Sequence, residues 1–386
     1  MKQEASIGLF NDSYPPVMDG VTLTVQNYVY WLRRMSENVS VITPGYFGQK
    51  DREPYPIYRY ASLPIRSRYP YRYGIPEIDF RIYYRLGRIP FSLVHAHCPF
   101  SSGRLARYVA RKQHIPFIAT FHSKYKSDLT HSISCRPMVD YLVRNIVKFY
   151  ESADEVWIPQ ASVEDTIREY GYKGKVTVVE NGNDFSGTES PGLLREQARK
   201  DMGIADDELV FLFVGQHIWE KGVGLIIDAL ALLKDIRFKM FFIGNGYACG
   251  EMKEKIEQYG LSDRIKLMGV LLDRSDIKRY YAAADLFLFP SMYDNAPLVL
   301  REAAAMHTPA ILLNGATASE VIVDGENGFL TENTVSGLAR KISFLAESPQ
   351  IISLAGEAAS HTIARSWEDV VHEVVDRYRV IQKKIK

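Results

Sequence analysis

The stretch Leu286–Met306 reads LFLFPSMYDNAPLVLREAAAM and combines a short apolar run, a polar loop and a longer apolar segment. The opening run, Leu286–Phe289, predicts a buried strand, and the closing segment predicts a helix. Asp294 lies in the loop and Glu302 lies in the helix. In parallel sheets built from such units, ligands bind at the carboxyl ends of the strands, where this loop lies. The stretch therefore predicts both an α/β fold and a site.

The same alternation of apolar runs and helix-length amphipathic segments extends along the whole chain. The runs are almost continuously apolar, which is typical of strands covered on both faces. A first series of predicted strands covers Ile7–Phe10, Val39–Thr43, Leu93–Ala96, Phe117–Phe121, Glu155–Ile158 and Val176–Glu180. A second series covers Leu209–Val214, Phe238–Ile243, Ile265–Met268, Leu286–Phe289 and Ala310–Leu313. The pattern predicts parallel sheets with helices on both sides.

The two series are separated by residues 182–200, which are rich in turn-forming residues and lack periodicity, as expected of a linker. A length of 386 residues suits two domains. We predict an N-terminal Rossmann-like domain over 1–186, a C-terminal one over 187–365, and a cleft between them. The last helix, 366–386, exceeds what the second domain needs, and we expect it to pack back on the N-terminal domain.

Composition narrows the class of protein. Apolar residues make up 46% and charged residues 24%, as in ordinary globular proteins. The three cysteines have no metal-ligand or disulfide-framework spacing, which favours a reducing compartment. No secretory signal and no apolar run of about 18 residues is evident, so we expect neither secretion nor a membrane span.

The two acids around the predicted helix start can serve a sugar diphosphate. The amides of Ala296, Leu298 and Val299 can face an anion at the helix N-terminus, and the helix dipole favours negative charge there. One carboxylate, Asp294 or Glu302, would then bind sugar hydroxyls and the other ribose hydroxyls. The alternative is an N-capping aspartate and a solvated helical glutamate, and the acids alone do not decide between them.

This stretch resembles the retaining glycosyltransferases of family 4, whose mark is Glu-x7-Glu followed by Ala-x-Ala-x-Gly-x-Pro. Here the frame reads Asp294-x7-Glu302, and His307 stands where the glycine is usual. The resemblance implies the GT-B fold of two Rossmann-like domains. It also implies transfer of a hexose from a nucleotide-diphosphate sugar, with retention at the anomeric carbon.

The resemblance covers nearly the whole chain and supplies further donor-binding residues. Val214–Gly222 resembles the loop whose arginine and lysine hold the donor diphosphate; Lys221 is present, whereas Gln216 replaces the arginine and brings no charge. The donor-binding set it implies is Gly20, Gln216, Lys221, Gly246, Val270, Asp294, Asn295, Ala296, Leu298, Val299 and Glu302. Within this set, Gly20 would let backbone approach a phosphate, since it has no Cβ.

Two histidines follow predicted strand ends. The resemblance places His122 beside the donor sugar, so that His122, Lys221 and Asp294 form the expected catalytic set. His97 is expected to lie behind it or in the core. A metal site at His95 and His97 lacks a third ligand at suitable spacing, and no Asp-x-Asp motif occurs at a strand end. We therefore expect metal-independent chemistry with no cofactor, and UDP-hexose as the co-substrate.

The net charge of +1 conceals a strong asymmetry. Residues 50–150 hold 18 basic and 6 acidic side chains, a net charge of +12, and the remainder nets −11. Arginines alternate with tyrosines over residues 52–88, which suits an anionic membrane surface; a solvated face is the alternative. The predicted membrane and acceptor residues are Arg66, Arg68, Arg72, Arg81 and Arg85. Nucleic acid is not expected, since no recognition motif occurs.

The first half also resembles the branch of family 4 that glycosylates diacylglycerol and related lipids, through the segments DSYPPVMDGV, VHAHCPFSSG and TFHSKY. We therefore expect transfer of glucose or galactose to a diacylglycerol or ceramide-type lipid. The enzyme would be cytoplasmic and peripheral to the inner face of the cell membrane. Two alternatives stay open, namely a polysaccharide or oligosaccharide acceptor, and a nucleotide-sugar epimerase or non-catalytic sugar-nucleotide binder.

Overall fold

The computed structural model describes residues 6–65, 70–185 and 190–385 of the chain. The chain forms two compact units. The first consists of Met1–Asn181 together with Trp367–Lys386, and the second consists of Gly182–Ser366. Each unit is built on its own parallel sheet.

The first unit contains a seven-stranded sheet of order β3-β2-β1-β6-β7-β8-β9, in which every pair is parallel. A small antiparallel pair, β4 and β5, lies beside it. The strands are β1 Ser6–Phe10, β2 Val39–Pro44, β3 Ile57–Tyr60, β4 Ser62–Pro64, β5 Arg72–Gly74, β6 Phe91–Ala96, β7 Phe117–Thr120, β8 Glu155–Ile158 and β9 Thr177–Val178. The helices are α1 Gly20–Arg34, α2 Phe80–Leu86, α3 Ser101–Gln113, α4 Tyr125–Ser132, α5 Arg136–Tyr150, α6 Val163–Glu169 and α14 Trp367–Ile385.

The second unit contains a six-stranded parallel sheet of order β12-β11-β10-β13-β14-β15. Its strands are β10 Leu209–Val214, β11 Phe238–Ile243, β12 Ile265–Gly269, β13 Leu286–Leu288, β14 Ala310–Leu313 and β15 Phe329–Thr331. Its helices are α7 Pro191–Asp201, α8 Val223–Ala231, α9 Cys249–Gln258, α10 Arg274–Ala283, α11 Leu298–Ala305, α12 Val335–Ala346 and α13 Pro349–Thr362. The predicted α/β class with two Rossmann-like halves is thus confirmed.

The central strands are apolar throughout because both faces of each sheet are covered. In β10, Val210, Phe211, Leu212 and Phe213 are all fully buried, although their side chains alternate between the faces. Aromatic rings fill much of this core, with Phe213 stacked on Phe289 at 5.8 Å between ring centroids. Continuous burial therefore accounts for the apolar runs read from the sequence.

The prediction of a linker over residues 182–200 was wrong in its second part, because α7 begins at Pro191. Proline suits the first turn of a helix, where its missing amide hydrogen costs nothing. The helix is held by tertiary contacts that its polar sequence does not reveal. Arg199 bonds the Asp285 carboxylate at 3.1 Å, and Arg195 donates to the Ala284 carbonyl at 2.8 Å.

The C-terminal helix α14 packs within the first unit. Trp367 is 2% exposed and lies edge-on to Tyr28 of α1, with 6.0 Å between the ring centroids. Tyr378 stacks on Trp157 of β8 at 5.6 Å. Among the described helices, none is both long and apolar enough to cross a membrane.

Candidate active site

Three loops of the second unit leave adjacent strands at one edge of its sheet. β10 pairs with β11 on one side and with β13 on the other. The loops that follow these strands carry Lys221, Gly246 and Asp294, respectively. Because all three strands run parallel, the loops gather at their carboxyl ends, which is where such sheets bind ligands.

Lys221 and Asp294 form an ion pair in this group of loops. The Lys221 Nζ lies 2.6 Å from Asp294 Oδ1, and both side chains are mostly buried, with exposed fractions of 12% and 16%. The Ser291 hydroxyl donates to Asp294 Oδ2 at 2.6 Å. Two of the three predicted catalytic side chains therefore touch each other, in a place where the pair is shielded from solvent.

Gly222 explains how the Lys221 loop reaches the Asp294 loop. Its φ of +74° lies in the left-handed region, which favours glycine. A Cβ at this position would lie 2.3 Å from the carbonyl oxygen of Pro290, a separation that atoms do not tolerate. Glycine thus permits the turn before α8 and the close approach to the end of β13.

The start of α11 lies directly after this ion pair. The helix begins at Leu298, and its N-cap is Pro297, which has no side chain that could cap it. Asp294 bonds Lys221 and Ser291 instead, so the alternative of Asp294 as an N-cap is wrong. Asn295 and Leu298 are buried, whereas Ala296 and Val299 are half-buried. The first-turn amides of α11 add a partial positive charge beside the carboxylate.

Glu302 is only 3% exposed, so its alternative as a solvated helical residue is also wrong. Its Oε1 accepts from Arg274 at 2.5 Å and its Oε2 from the Tyr281 hydroxyl at 2.9 Å. Arg274 also bonds Asp184, with its Nε 2.9 Å from Oδ2. Burial raises the pKa of Glu302, and the charge of Arg274 opposes that rise. Binding of a ribose by Glu302 stays a prediction.

The other predicted donor-binding residues differ in their solvent exposure. The side chain of Gln216 is exposed, and Val270, just after β12, is 57% exposed. Gly246 has a packing reason of its own, because a Cβ there would lie 2.2 Å from the His217 carbonyl oxygen. Glycine at position 246 therefore allows the two loops to approach closely, whatever else it contacts.

The predicted residues of the first unit lie at the ends of its own strands. Gly20 begins α1, whose N-cap Asp19 accepts from the Thr22 amide at 2.7 Å; a Cβ on Gly20 would meet nothing within 4 Å. His122 follows β7 and is partly buried, and burial lowers its pKa to about 4. Its Nε2 lies 3.1 Å from Nδ1 of His97, which follows β6.

Within the described parts of the chain, no group of three histidine, cysteine or acidic side chains is arranged to hold a metal ion. The neighbouring histidines His95, His97 and His122 have other partners. His95 bonds the Tyr378 hydroxyl and the Thr120 hydroxyl, each at 2.7 Å, and His97 bonds His122. Metal-independent chemistry stays a prediction.

The predicted membrane residues fall into three groups. Arg81 and Arg85 are exposed one turn apart on α2, beside Phe80 and Tyr84, which are 83% and 59% exposed. Arg72 is occupied in the small β4–β5 pair, since its Nε donates to the Ser62 hydroxyl at 2.7 Å. Arg66 and Arg68 lie outside the described residues.

Sequence reasoning missed several residues of the candidate site. Arg274 donates to Glu302 and is itself bonded by Asp184, each from a position far along the chain, and Ser291 orients Asp294. Nothing in the sequence pairs Arg274 with Glu302. Ser291, by contrast, lies only three residues before Asp294, so the short spacing is a signal by which this contact could have been found.

Two family models match the chain. Residues 18–186 match glycosyltransferase family 4, and residues 195–361 match the glycosyl transferases of group 1. An alpha-monoglucosyldiacylglycerol synthase of Streptococcus pneumoniae is 28% identical over 84% of this chain and 74% of its own length. A protein of the same name from Acholeplasma laidlawii is 24% identical over 96% of this chain and 98% of its own.

The solved structures include similar folds. HepE of Anabaena, crystallised with UDP and glucose, superimposes with a TM-score of 0.79 at 18% identity, over 97% of this chain and all of that one. The similarity therefore extends over both units described above. The family matches in both halves, together with the two parallel sheets, show that the chain is a member of glycosyltransferase family 4 with the GT-B fold.

Proposed function

We propose that this chain is a retaining hexosyltransferase that moves glucose or galactose from a UDP-sugar to a membrane lipid of the diacylglycerol or ceramide type. The observation that carries the donor half of this proposal is the Lys221–Asp294 ion pair beside the start of α11. The two relatives named as glucosyldiacylglycerol synthases support the lipid half.

The second unit binds the donor in this proposal. Lys221 and the first amides of α11 stabilise the diphosphate, which gains negative charge as it leaves. Asp294 lies within reach of Lys221 and accepts from sugar hydroxyls, while Ser291 fixes its orientation. Because Gln216 supplies no charge, Lys221 carries a larger share of the phosphate stabilisation than a lysine paired with an arginine would.

The chemical step exchanges one bond at the anomeric carbon for another on the same face. The bond from that carbon to the diphosphate oxygen breaks, and the acceptor hydroxyl oxygen forms the new bond. The proton of the acceptor hydroxyl passes to the departing phosphate oxygen, so no separate base is needed. His122 binds a sugar hydroxyl and does not serve as the base, since burial lowers its pKa to about 4 and so makes the ring a weak proton acceptor.

The proposed activity is tested by incubating the full chain with UDP-glucose or UDP-galactose and vesicles that contain diacylglycerol or ceramide. We expect a hexosyl lipid by mass spectrometry, with the α configuration by NMR, in the presence of EDTA as well as without it. The Asp294→Asn variant is the matched control, and it should form little product while it still folds.

Four outcomes would contradict the proposal in different ways. If product forms on an oligosaccharide acceptor but on no lipid, the acceptor is a saccharide and the lipid part of the proposal is wrong. Conversion of UDP-glucose to UDP-galactose without transfer would indicate an epimerase. Loss of all product with EDTA would overturn the metal-independent mechanism, and a product of β configuration would overturn retention.

We further propose that α2 brings the enzyme to anionic lipid at the inner face of the cell membrane. Ile82 and Leu86 face the core, while Phe80, Arg81 and Arg85 are exposed on the same helix. Exposed aromatic rings suit the membrane interface, and arginines suit acidic headgroups. The Arg88 guanidinium lies 3.9 Å from the Tyr84 ring centroid and extends this basic, aromatic surface.

Reversing two charges on this surface is expected to weaken vesicle binding. Each basic residue near an anionic surface contributes about 1 kcal/mol, so Arg81→Glu/Arg85→Glu should lower the partition coefficient roughly 30-fold or more. Flotation with vesicles rich in phosphatidylglycerol at low salt measures this. The control is Lys253→Glu/Arg340→Glu, at exposed sites of the second unit. Equal binding by both double variants would show that α2 is not the membrane surface.

A further inference from the structure

A row of histidines leads from the C-terminal helix to His122. His95 is fully buried and held at both nitrogens, by the hydroxyls of Tyr378 on α14 and Thr120 on β7. Its ring lies 4.2 Å from that of His97, centroid to centroid. His97 in turn bonds His122 through Nδ1, at 3.1 Å from Nε2. The His97 ring is therefore fixed between a locked neighbour and the candidate site residue.

The hydrogen bond between His97 and His122 needs a hydrogen on one, and only one, of the two nitrogens that face each other. Burial lowers the pKa of both histidines, so both rings are neutral at pH 7 and each carries hydrogen on one nitrogen only. Either His97 donates from Nδ1 to Nε2 of His122, or His122 donates from Nε2 to Nδ1 of His97. The two arrangements leave opposite nitrogens of each ring protonated.

The other nitrogen of His97 decides between them. His97 Nε2 is buried, and no described residue lies within hydrogen-bonding distance of it. If His122 were the donor, His97 would bear its hydrogen at Nε2, as a buried N–H without an acceptor. Buried N–H groups without partners are rarer than buried acceptors without partners. The first arrangement, with His97 as donor, is therefore the more stable one.

We infer that His97 is a positioning residue that holds His122 in its Nδ1–H tautomer, so that His122 meets a sugar hydroxyl oxygen as a hydrogen-bond donor. This inference deepens the proposed function and rests on it for the identity of the ligand. The tautomer of His122 does not rest on the proposed function, because it is a property of the protein without ligand. Free histidine favours the opposite Nε2–H tautomer, so the expected state has a distinct signature.

Histidine-labelled full-length protein gives a direct test by ¹⁵N NMR at pH 7.5, with His122→Gln used to assign the His122 signals among the nine histidines. We expect the Nδ1–H form of His122 in the wild type. His97→Asn should keep it, because the amide nitrogen can donate in place of Nδ1. His97→Leu should shift His122 toward Nε2–H. An Nε2–H form in the wild type would overturn the inference, even if the leucine variant fails to fold.

Kinetics provide the second readout. With donor and acceptor in place, His97→Leu should lower kcat about tenfold, the effect of losing one well-placed hydrogen bond, and His97→Asn should restore most of it. A purely structural role would lower the melting temperature of both variants without this rescue, and that result would contradict the inference. The expected tautomer in a protein that transfers no sugar would refute the proposed function alone.

Discussion

Replacing Lys221 by alanine is expected to lower kcat with the sugar nucleotide about 10²- to 10³-fold. Removing one preorganised group that stabilises developing charge typically has an effect of this size. Here no arginine shares the task, because position 216 is glutamine. The substitution also leaves the Asp294 carboxylate, only 16% exposed, without its ion-pair partner. Steady-state transfer rates with UDP-glucose, measured at saturating donor, give the loss directly.

The matched control is Lys253→Ala on α9. Lys253 is 74% exposed and lies 4.0 Å from Glu257, a surface pair of little energetic value. It should leave kcat unchanged. The double variant Lys221→Ala/Asp294→Asn should lose less than the product of the single losses, since the two side chains act as one unit. A Lys221→Ala enzyme that keeps kcat within threefold would remove Lys221 from the catalytic set.

Replacing Arg274 by alanine is expected to reduce the free energy of unfolding by about 3 kcal/mol. Breaking a buried ion pair from one side leaves the other charge without compensation, which typically costs 3–5 kcal/mol. The lower end applies because the Arg274 side chain is 30% exposed, although the Glu302 side chain is buried. Chemical denaturation of the full chain at pH 7 measures the loss, provided that unfolding of the second unit is followed.

The loss of unfolding free energy in Arg274→Ala should grow as the pH rises. Without Arg274, burial and the charge of Asp184 raise the pKa of Glu302 further, and only the hydrogen bond from Tyr281 opposes them. A glutamate whose pKa in the folded state exceeds the unfolded value of about 4.3 stabilises the fold at low pH and loses that contribution as the pH rises. We therefore expect a smaller gap between variant and wild type at pH 5 than at pH 8.

Two further variants test this account of Arg274. Arg274→Ala/Glu302→Gln should recover most of the stability and flatten the pH dependence, because no buried charge is left and the amide can still accept from Tyr281. Arg279→Ala, on the same helix, breaks a more exposed pair with Asp201 and should cost no more than about 0.5 kcal/mol. A gap between Arg274→Ala and wild type that does not change with pH would contradict the role given to Glu302.

The strands of both sheets could be predicted closely where they are buried on both faces. The predicted Leu209–Val214, Phe238–Ile243 and Ala310–Leu313 match β10, β11 and β14 to the residue. Burial on both faces leaves a continuous apolar run, which the sequence displays directly. Short strands do not display it, and β3, β4, β5 and β15 were missed because each has only three or four residues, too few to show an apolar pattern.

The residues of the candidate site also differ in how far the sequence predicts their contacts. Its local parts could be predicted, since a loop after a strand and a helix start bring Asp294 and the α11 amides together within a few residues. Its non-local parts could not. The partners of Glu302 lie 21 and 28 positions away, and Asp184 lies 90 positions from Arg274. Such pairs arise only when the sheet brings the ends of distant strands side by side.

The sequence by itself determined the two-sheet architecture, the family and the residues of each loop at the strand ends, because apolar periodicity and short-range spacing encode these. Only the tertiary structure decided which charges are paired. It joined Lys221 to Asp294, buried Glu302 under Arg274, placed α7 in the predicted linker and set His97 against His122. The physical reason is that hydrogen bonds and ion pairs act over about 3 Å, whereas the chain distance between their partners is unrestricted.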